Sequence, residues 1–491
     1  MRNGSVSTPR LDHWVIDRLR RRAGPIGVAF VFVALGLAYV FRWGSVVRHT
    51  PSLWITPVDL SGIYRASTAL AHGHFNAIYQ ANSGFLTLPG ILIVLAPLGA
   101  LSNVFHTTFV EIMKNHHLVT YPHYLVSHTS QIFDSGTITS GAHGAIEYSI
   151  QPQWFTYVAP YIMVLSCSAL FALDALAERL QVTRSRRLVL TVAEAVVLWP
   201  VIVFWGHPED ALAVALVVYA LWFALDDRFT WAGWLFGAAV AVQPLVIVVF
   251  PILLVLGGRT RVLGLVVRGV VPAAAVTVGP FVSEFHATLH DVVTQPALPD
   301  LKGNHQTPWT FLAPKLSGKG SLTAVGGGPT RAITLVLAGA VGWWARRWRE
   351  RPEMLVWSVA LALALRTYTE SVMTAYYVWP ALAVGLVIAA RGSRLRFGLS
   401  IALAIGVTTV AQFQLELFQW WALDVAGVTG LLIAAAWPVP LGAGEPRPVP
   451  VRGRTPAVTP SRVGSRNSNT KKASSTKRKS ARADRKRAGR R

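Results

Sequence analysis

Apolar runs of helical length recur along the chain and are separated by short polar segments. A helix that crosses a bilayer needs about 20 mostly apolar residues. Runs near or above that length cover residues 25–41, 154–176, 188–205, 211–225, 229–256, 262–282, 332–344, 354–365, 376–390, 397–410 and 420–437. The pattern predicts an all-α polytopic membrane protein, with a bundle of about 12 transmembrane helices over residues 25–437.

Two apolar segments do not read as single straight helices. Residues 88–105 contain two prolines and two glycines, which weaken a straight helix, and the polar insert at 106–153 contains no second crossing. We expect 88–105 to be re-entrant or interfacial, and a missed crossing is the alternative. Residues 229–256 are interrupted by Gln243-Pro244 and flanked by arginines at both ends, which predicts a broken hairpin.

Arginine clusters assign an orientation, because basic residues near helix ends mark the cytoplasmic side. They lie at residues 18–22, 184–187, 228, 259–261, 346–351 and 391–396. This placement predicts a cytoplasmic N-terminus over residues 1–24 and external stretches at 43–86, 207–210, 283–330, 368–373 and 412–419. It also predicts that the histidine-rich insert 106–153 is external, because the next span ends at Arg184.

Composition supports the membrane class and isolates a basic tail. Charged residues make up 14% of the chain and hydrophobic residues 52%, whereas a soluble domain is about 25% charged. Residues 447–491 carry 16 Lys and Arg against one acid, a net +15 of the total +23. Residues 438–491 are therefore predicted to be a disordered cytoplasmic tail that contacts anionic lipid. Nucleic acid is not the expected partner, because no aromatic residues for base stacking are interleaved with the charges.

Asp59 stands out as an acid just outside the first span, on a short predicted helix over residues 60–72. One interpretation is structural, because Asp is a favourable N-cap residue. The other is catalytic, because a carboxylate at the bilayer interface could take the proton from a sugar hydroxyl that attacks a lipid-linked donor. Tyr64 and Arg65 follow on the same helix and are candidate substrate contacts.

A second candidate lies at an external helix start, in the sequence His207-Pro208-Glu209-Asp210. The structural interpretation is that Pro suits the first helical position and that acids in the first turn oppose the helix dipole favourably. The alternative is that His207, Glu209 and Asp210 bind sugar hydroxyls beside Asp59. Three potential ligands on one tight turn indicate a metal site only weakly.

Arg366 and Glu370 form a third candidate at the outer end of another span. Ionisable groups at membrane depth are costly and usually functional. The pair could neutralise itself as an i,i+4 ion pair, or Arg366 could bind a lipid phosphate. Tyr376 follows at the interface, where aromatic residues are expected. The external histidines include one regularly spaced pair, His286 and His290, without the further ligands of a zinc motif.

Two blocks of the sequence resemble a known family. Asp59, Tyr64, Ala66, Leu70, Gly73 and Tyr79 match in type and spacing the first external loop of GT-C fold glycosyltransferases, and most closely that of glycosyltransferase family 87, the polyprenol-phosphate-mannose-dependent mannosyltransferases. Residues 205–210 and 232–244 resemble that family's external turn and its glycine-rich helix. Gln243 stands where the family usually has a cation.

The resemblance implies a membrane mannosyltransferase that uses no cofactor and no metal. It implies transfer of a sugar from a polyprenyl-phosphate donor to a lipid or glycan acceptor on the extracytoplasmic face of the cell membrane. Asp59 would be the catalytic base, and Arg366 would bind the phosphate. Tyr64, Arg65, His207, Glu209, Asp210, Gln243, Glu370 and Tyr376 would bind substrate. A transporter or flippase of a lipid-linked sugar and a catalytically inactive GT-C-like scaffold are the alternatives.

Overall fold

The computed structural model describes the chain in segments. These are residues 11–46, 58–79, 85, 87–101, 109–114, 117–122, 131–134, 137–140, 155–294, 297–299, 306–318, 321–325, 328–413, 415 and 418–436. All of them belong to one compact unit, Met1–Pro438. The predicted tail 438–491 and most of the insert 106–153 lie outside the described residues.

Helices dominate the described chain. The α-helices are α1 Leu11–Val46, α2 Val58–Ala71, α3 Gly90–Ala100, α4 Phe155–Arg179, α5 Arg184–Trp199, α6 Pro208–Leu225, α7 Phe229–Val242, α8 Phe250–Gly257, α9 Val262–Ser283, α10 Phe285–Thr294, α11 Pro329–Ala345, α12 Pro352–Thr369, α13 Trp379–Ala389, α14 Arg394–Val410 and α15 Gln419–Ala436. Tighter 3₁₀ turns include Pro244–Val249 and Ala375–Val378, and Pro200–Phe204 is a π-helical turn.

The predicted helical membrane class is confirmed by helices of sufficient length and apolarity. Within the described residues, six such helices are long enough to cross a bilayer: Arg21–Tyr39, Tyr157–Arg179, Arg184–Phe204, Pro208–Leu225, Arg259–Ser283 and Gln419–Ala436. Gly90–Ala100, Phe229–Val242, Pro244–Gly257 and Ala375–Ala389 are shorter apolar helices.

The predicted interruption at Gln243 is confirmed. Helix α7 ends at Val242, and Gln243 adopts an extended backbone with φ −143° and ψ 100° before the 3₁₀ turn that leads into α8. Proline at the next position favours an extended conformation in the residue before it. The break leaves the end of α7 without a helical continuation, so a polar side chain can project sideways from an otherwise apolar segment.

Helix α3 falls in the segment whose apolar pattern was ambiguous. It has 11 residues, about half the length that a crossing requires, so a re-entrant position stays a prediction. Two glycines allow close backbone approach. A Cβ on Gly90 would lie 2.4 Å from the carbonyl oxygen of Ala241, and a Cβ on Gly99 would lie 2.7 Å from that of Ser67.

Short strands, which the sequence did not predict, occupy two of the segments between helices. Strands β1 Phe109–Lys114 and β2 His117–Pro122 form an antiparallel hairpin, as do β3 Gln131–Asp134 and β4 Thr137–Ser140. A three-stranded antiparallel sheet joins β5 Ala297–Pro299, β6 Lys315–Gly318 and β7 Ser321–Val325 in the order β5-β7-β6. The predicted all-α class is therefore confirmed for the apolar bundle, whereas the polar segments contain these small sheets.

A buried ion network ties three helices together near their arginine-rich ends. Asp174 of α4 is fully buried and accepts hydrogen bonds from Nε and Nη2 of Arg187 of α5, each at 2.7 Å. Arg22 of α1 also pairs with Asp174, and it donates to Glu178 at 2.7 Å. A buried carboxylate is tolerated when cations compensate it, so two guanidiniums hold this acid inside the bundle.

Candidate active site

A cavity of about 300 Å³ lies where the predicted site residues converge. Its walls come from α2, from the turn between α5 and α6, from the break after α7, and from the ends of α11 and α12. The lining residues are Asp59, Ile63, Thr87, Leu88, His207, Glu209, Gln243, Pro244, Leu245, Ile247, Val248, Val292, Arg331, Thr334, Leu335, Arg366, Glu370, Tyr376 and Tyr377. One part of the wall is charged and aromatic, and the rest is aliphatic.

The turn between α5 and α6 buries three polar side chains, two of which line the cavity. The π-helical turn ends at Phe204, and Gly206 adopts a φ of +72°, which glycine tolerates without strain. His207 is then the N-cap of α6, with Pro208 in the first turn and the two acids directly after it. The structural interpretation of this tetrad is therefore confirmed, and the same turn also brings His207 and Glu209 into the cavity wall.

His207 bridges two carboxylates. Its Nε2 lies 2.8 Å from Oδ2 of Asp59, and its Nδ1 lies 2.5 Å from Oε1 of Glu209. The imidazole ring stacks on Tyr376, with ring centroids 3.7 Å apart and planes inclined by 28°. The side chains of His207 and Glu209 are almost fully buried, whereas that of Asp59 is 28% exposed and faces the cavity. Helix α2 begins at Val58, so Asp59 lies inside its first turn rather than at its N-cap.

The two carboxylates keep a proton on His207. Burial alone would lower the pKa of His207, but the charge of Glu209 and the hydrogen bonds to Asp59 and Glu209 outweigh it and raise that pKa to about 10. At neutral pH the ring is therefore an imidazolium that donates a hydrogen bond from each nitrogen. The cluster therefore places a cationic ring between two carboxyl groups at the cavity wall.

Gln243 uses the helix break to reach the same turn. Its Nε2 donates to Oδ1 of Asp210 at 2.9 Å. Asp210 is not among the residues that line the cavity, but it holds Gln243, which does. Among the described residues, neither Oδ2 of Asp210 nor Oε2 of Glu209 has a hydrogen-bond partner, although both atoms are buried. Glu209 lines the cavity, whereas Asp210 lies behind Gln243.

Two guanidiniums face this acidic cluster from another part of the cavity wall. Glu370, 2% exposed, lies 3.8 Å from Nε of Arg331 through Oε1 and 3.8 Å from Nε of Arg366 through Oε2. The guanidinium of Arg366 also lies over the ring of Tyr377. Burial raises the pKa of Glu370, and the charges of Arg366 and Arg331 oppose that rise. The predicted i,i+4 pair of Arg366 and Glu370 is present, and Arg331 adds a second cation that the sequence reasoning missed.

Two candidate residues of α2 lie elsewhere. Tyr64 is fully buried, and its hydroxyl hydrogen-bonds that of Tyr157 on α4. Arg65 is half-buried on the same helix. Neither lines the cavity, so their predicted substrate contacts stay predictions. In the part of the chain that the structure describes, no three His, Cys, Asp or Glu side chains are arranged to hold a metal ion. The histidine-rich insert lies largely outside that part.

Apolar helices long enough to cross a bilayer, together with a cavity that pairs an acidic cluster with two arginines, are the features of a membrane protein with a polar site. Residues 142–259 match the family described as alpha-(1->6)-mannopyranosyltransferase, N-terminal domain. The matched segment includes His207, Glu209, Asp210 and Gln243, and it ends before Arg331. The glycosyltransferase resemblance is thus confirmed over this segment as a mannosyltransferase-family domain. The search of curated proteins found no match to this chain.

Proposed function

We propose that this chain is a mannosyltransferase that takes its sugar from a polyprenyl-phosphate donor and transfers it to a lipid or glycan acceptor on the extracytoplasmic face of the cell membrane. The observation that carries the proposal is the convergence of Asp59, an arginine pair and an aliphatic wall on one cavity. These parts correspond to the three needs of the reaction: a proton acceptor, a charge for the phosphate, and a surface for the lipid. The family match supports the choice of sugar.

The arginine pair suits the donor phosphate. Arg331 and Arg366 flank Glu370 at 3.8 Å on each side, so a carboxylate occupies the place that a phosphate would take. Guanidinium groups match the geometry of phosphate oxygens. Gln243 stands where the family usually has a basic residue. These two arginines would supply the positive charge instead. They would stabilise the charge that develops on the phosphate as the bond from the sugar to its oxygen breaks.

The aliphatic wall suits the polyprenyl chain. Ile247 and Leu335 line the cavity and are 42% and 50% exposed. An exposed aliphatic rim is stable against lipid tails but not in water. A donor anchored in the bilayer could therefore place its phosphate between the arginines while its chain passes over this rim into the membrane.

The acidic cluster suits the acceptor and the sugar. Asp59 accepts the proton of the acceptor hydroxyl, and that oxygen attacks the anomeric carbon. The bond from the anomeric carbon to the phosphate oxygen breaks, and polyprenyl phosphate leaves with the electron pair. This single displacement inverts the anomeric configuration. Gln243 and Glu209, which line the cavity, would hold sugar hydroxyls, and Asp210 would hold the amide of Gln243 in place.

Helix order supports the proposed sidedness. Helices α5 and α12 begin beside arginine clusters and end at the cavity, whereas α6 begins at the cavity and ends near Arg228. Basic clusters mark the cytoplasmic side, so the cavity would open on the opposite face. We retain the proposal of about 12 crossings with both termini inside, in which the shorter apolar helices complete the bundle.

The test is sugar transfer by purified full-length protein in nanodiscs, supplied with radiolabelled polyprenyl-phosphate mannose and membrane lipids. We expect a mannosylated lipid product, and we expect Asp59→Asn to lower turnover by about 10²–10⁴-fold because an amide cannot take the proton. Turnover of Asp59→Asn near the wild-type level would remove Asp59 from the mechanism. Movement of labelled donor across the bilayer without a product would favour the flippase alternative, and binding without either would favour an inactive scaffold.

A further inference from the structure

His207 does more in this structure than line a sugar pocket. It is the direct contact of the proposed base, and it is itself held from the far side by Glu209. The order Glu209–His207–Asp59 runs from a buried carboxylate, through a buried ring, to a carboxylate that reaches the cavity. A buried group with a hydrogen bond on each side has little freedom, so it can orient its more exposed neighbour.

We propose that His207 is a positioning residue, which Glu209 holds from the far side so that the ring fixes the carboxylate of Asp59 for the acceptor hydroxyl. The inference rests on the proposed function, because it assigns a role relative to the acceptor proton. His207 donates from Nε2 to one oxygen of Asp59, and the carboxylate has a second oxygen with which to meet the acceptor hydroxyl. His207 takes no part in bond making, and its proton stays on the ring.

The groups around the ring favour its charged form. Asp59 faces it from α2, Glu209 from α6, and Tyr376 from the 3₁₀ turn before α13. Asp210 interacts electrostatically with Glu209 and His207, and Arg366 interacts with Asp210. Two carboxylates in hydrogen-bond contact exceed the opposing effect of burial.

Removing the ring should therefore change kcat and leave KM nearly unchanged. In His207→Gln we expect kcat to fall by up to about 10²-fold, because misplacement of a reacting group costs that much, while KM changes little. His290→Gln is the matched control, because His290 also contacts a carboxylate, Asp291 at 3.1 Å, but is exposed. It should leave both parameters unchanged.

Glu209→Gln tests the far side of the cluster without removing the ring. With Glu209 neutral, the pKa of His207 should fall from about 10 toward its ordinary value near 6.5. Histidine ¹³C NMR of the full-length protein in nanodiscs can follow this, with the His207 signal identified by its loss in His207→Gln. We expect no titration of that signal between pH 5 and about 9 in the wild type, and a titration within this window in Glu209→Gln.

The outcomes separate the inference from the proposed function. Absence of sugar transfer by the wild type would contradict the proposed function, and the NMR titration would still decide the charge of His207. A wild-type His207 that titrates near pH 6.5 would overturn the inference whatever the activity. So would a His207→Gln variant that raises KM and keeps the wild-type kcat, since that result indicates a substrate contact rather than positioning of Asp59.

Discussion

Glu370 occupies the position between the two guanidiniums that we assign to the donor phosphate, so its neutralisation should have two opposite effects. In Glu370→Gln the empty protein loses the carboxylate that lies between Arg366, which is 11% exposed, and the more exposed Arg331. The same change removes the group that competes with a phosphate for Arg331 and Arg366. We therefore expect lower stability of the empty protein together with tighter binding of a phosphate-bearing lipid.

The magnitude follows from the geometry. Two unit charges about 4 Å apart interact with about 4 kcal/mol at an effective dielectric constant near 20, and Glu370 makes two such pairs at 3.8 Å. Arg331 is 29% exposed, which weakens its pair by solvent screening. Loss of one partner of a buried pair typically costs about 3–5 kcal/mol, so we expect a loss of about 3 kcal/mol for Glu370→Gln.

The assay is thermal unfolding of the full-length protein in nanodiscs, with and without farnesyl phosphate as a short polyprenyl phosphate. Glu370→Gln should unfold several degrees below the wild type without ligand and should bind farnesyl phosphate about tenfold more tightly, a difference of about 1.4 kcal/mol. Asp174→Asn is the matched control, because Asp174 also lies between two guanidiniums, at the other end of the bundle. It should destabilise the protein without any gain in affinity. Unchanged or weaker binding of farnesyl phosphate by Glu370→Gln would refute the assignment of this site to a phosphate.

Three further expectations concern packing and topology. Gly237→Ala should destabilise the protein by about 1–3 kcal/mol through overpacking, because the added Cβ would lie 2.2 Å from the carbonyl oxygen of Arg268. The control is Gly27→Ala, which has open space around its Cβ and should be neutral in the same unfolding assay. Truncation after Pro440 should change turnover per folded molecule by less than about tenfold, or roughly 1.4 kcal/mol of barrier, and a larger loss would couple the tail to the site. A cysteine at Ser130 in a Cys167→Ala background should react with an impermeant reagent from the extracytoplasmic face, and labelling only after the cytoplasmic face is opened would reverse that orientation.

Local signals in the sequence were sufficient to place the acidic half of the site. Pro208 and the two acids after it mark a helix start by rules that act within one turn, and that helix start is where the structure places them. Gln243-Pro244 marks the helix break for a similarly local reason. The contact of Asp59 with His207 joins residues 148 positions apart, and no pattern within either segment specifies that distance.

Arg331, the second guanidinium of the site, was missed because no recognisable motif accompanies it in the sequence. Arg331 lies in the first turn of α11, after Gly328 with a φ of +83°, and a lone arginine beside an apolar run usually marks the cytoplasmic side. The run that follows Arg331 was nevertheless predicted to begin outside, so this arginine departs from the expected charge bias. That departure was the available signal. The pairing of Asp174 with Arg187 was also not predicted, because Arg187 belongs to an arginine cluster that the charge bias already explained.

Helix α3, short and ambiguous in the sequence, works in the fold as a spacer of fixed thickness. At one end of α3, Gly99 packs against the backbone of α2, the helix that carries Asp59. At the other end, Gly90 packs against the backbone of α7 beside Gln243. Neither contact leaves room for a methyl group. The separation between the proposed base and the amide of the broken helix is therefore set by backbone thickness rather than by side-chain packing. Exchanging one aliphatic residue for another would not change this separation gradually. The acceptor and sugar sides of the cavity should therefore shift together or not at all.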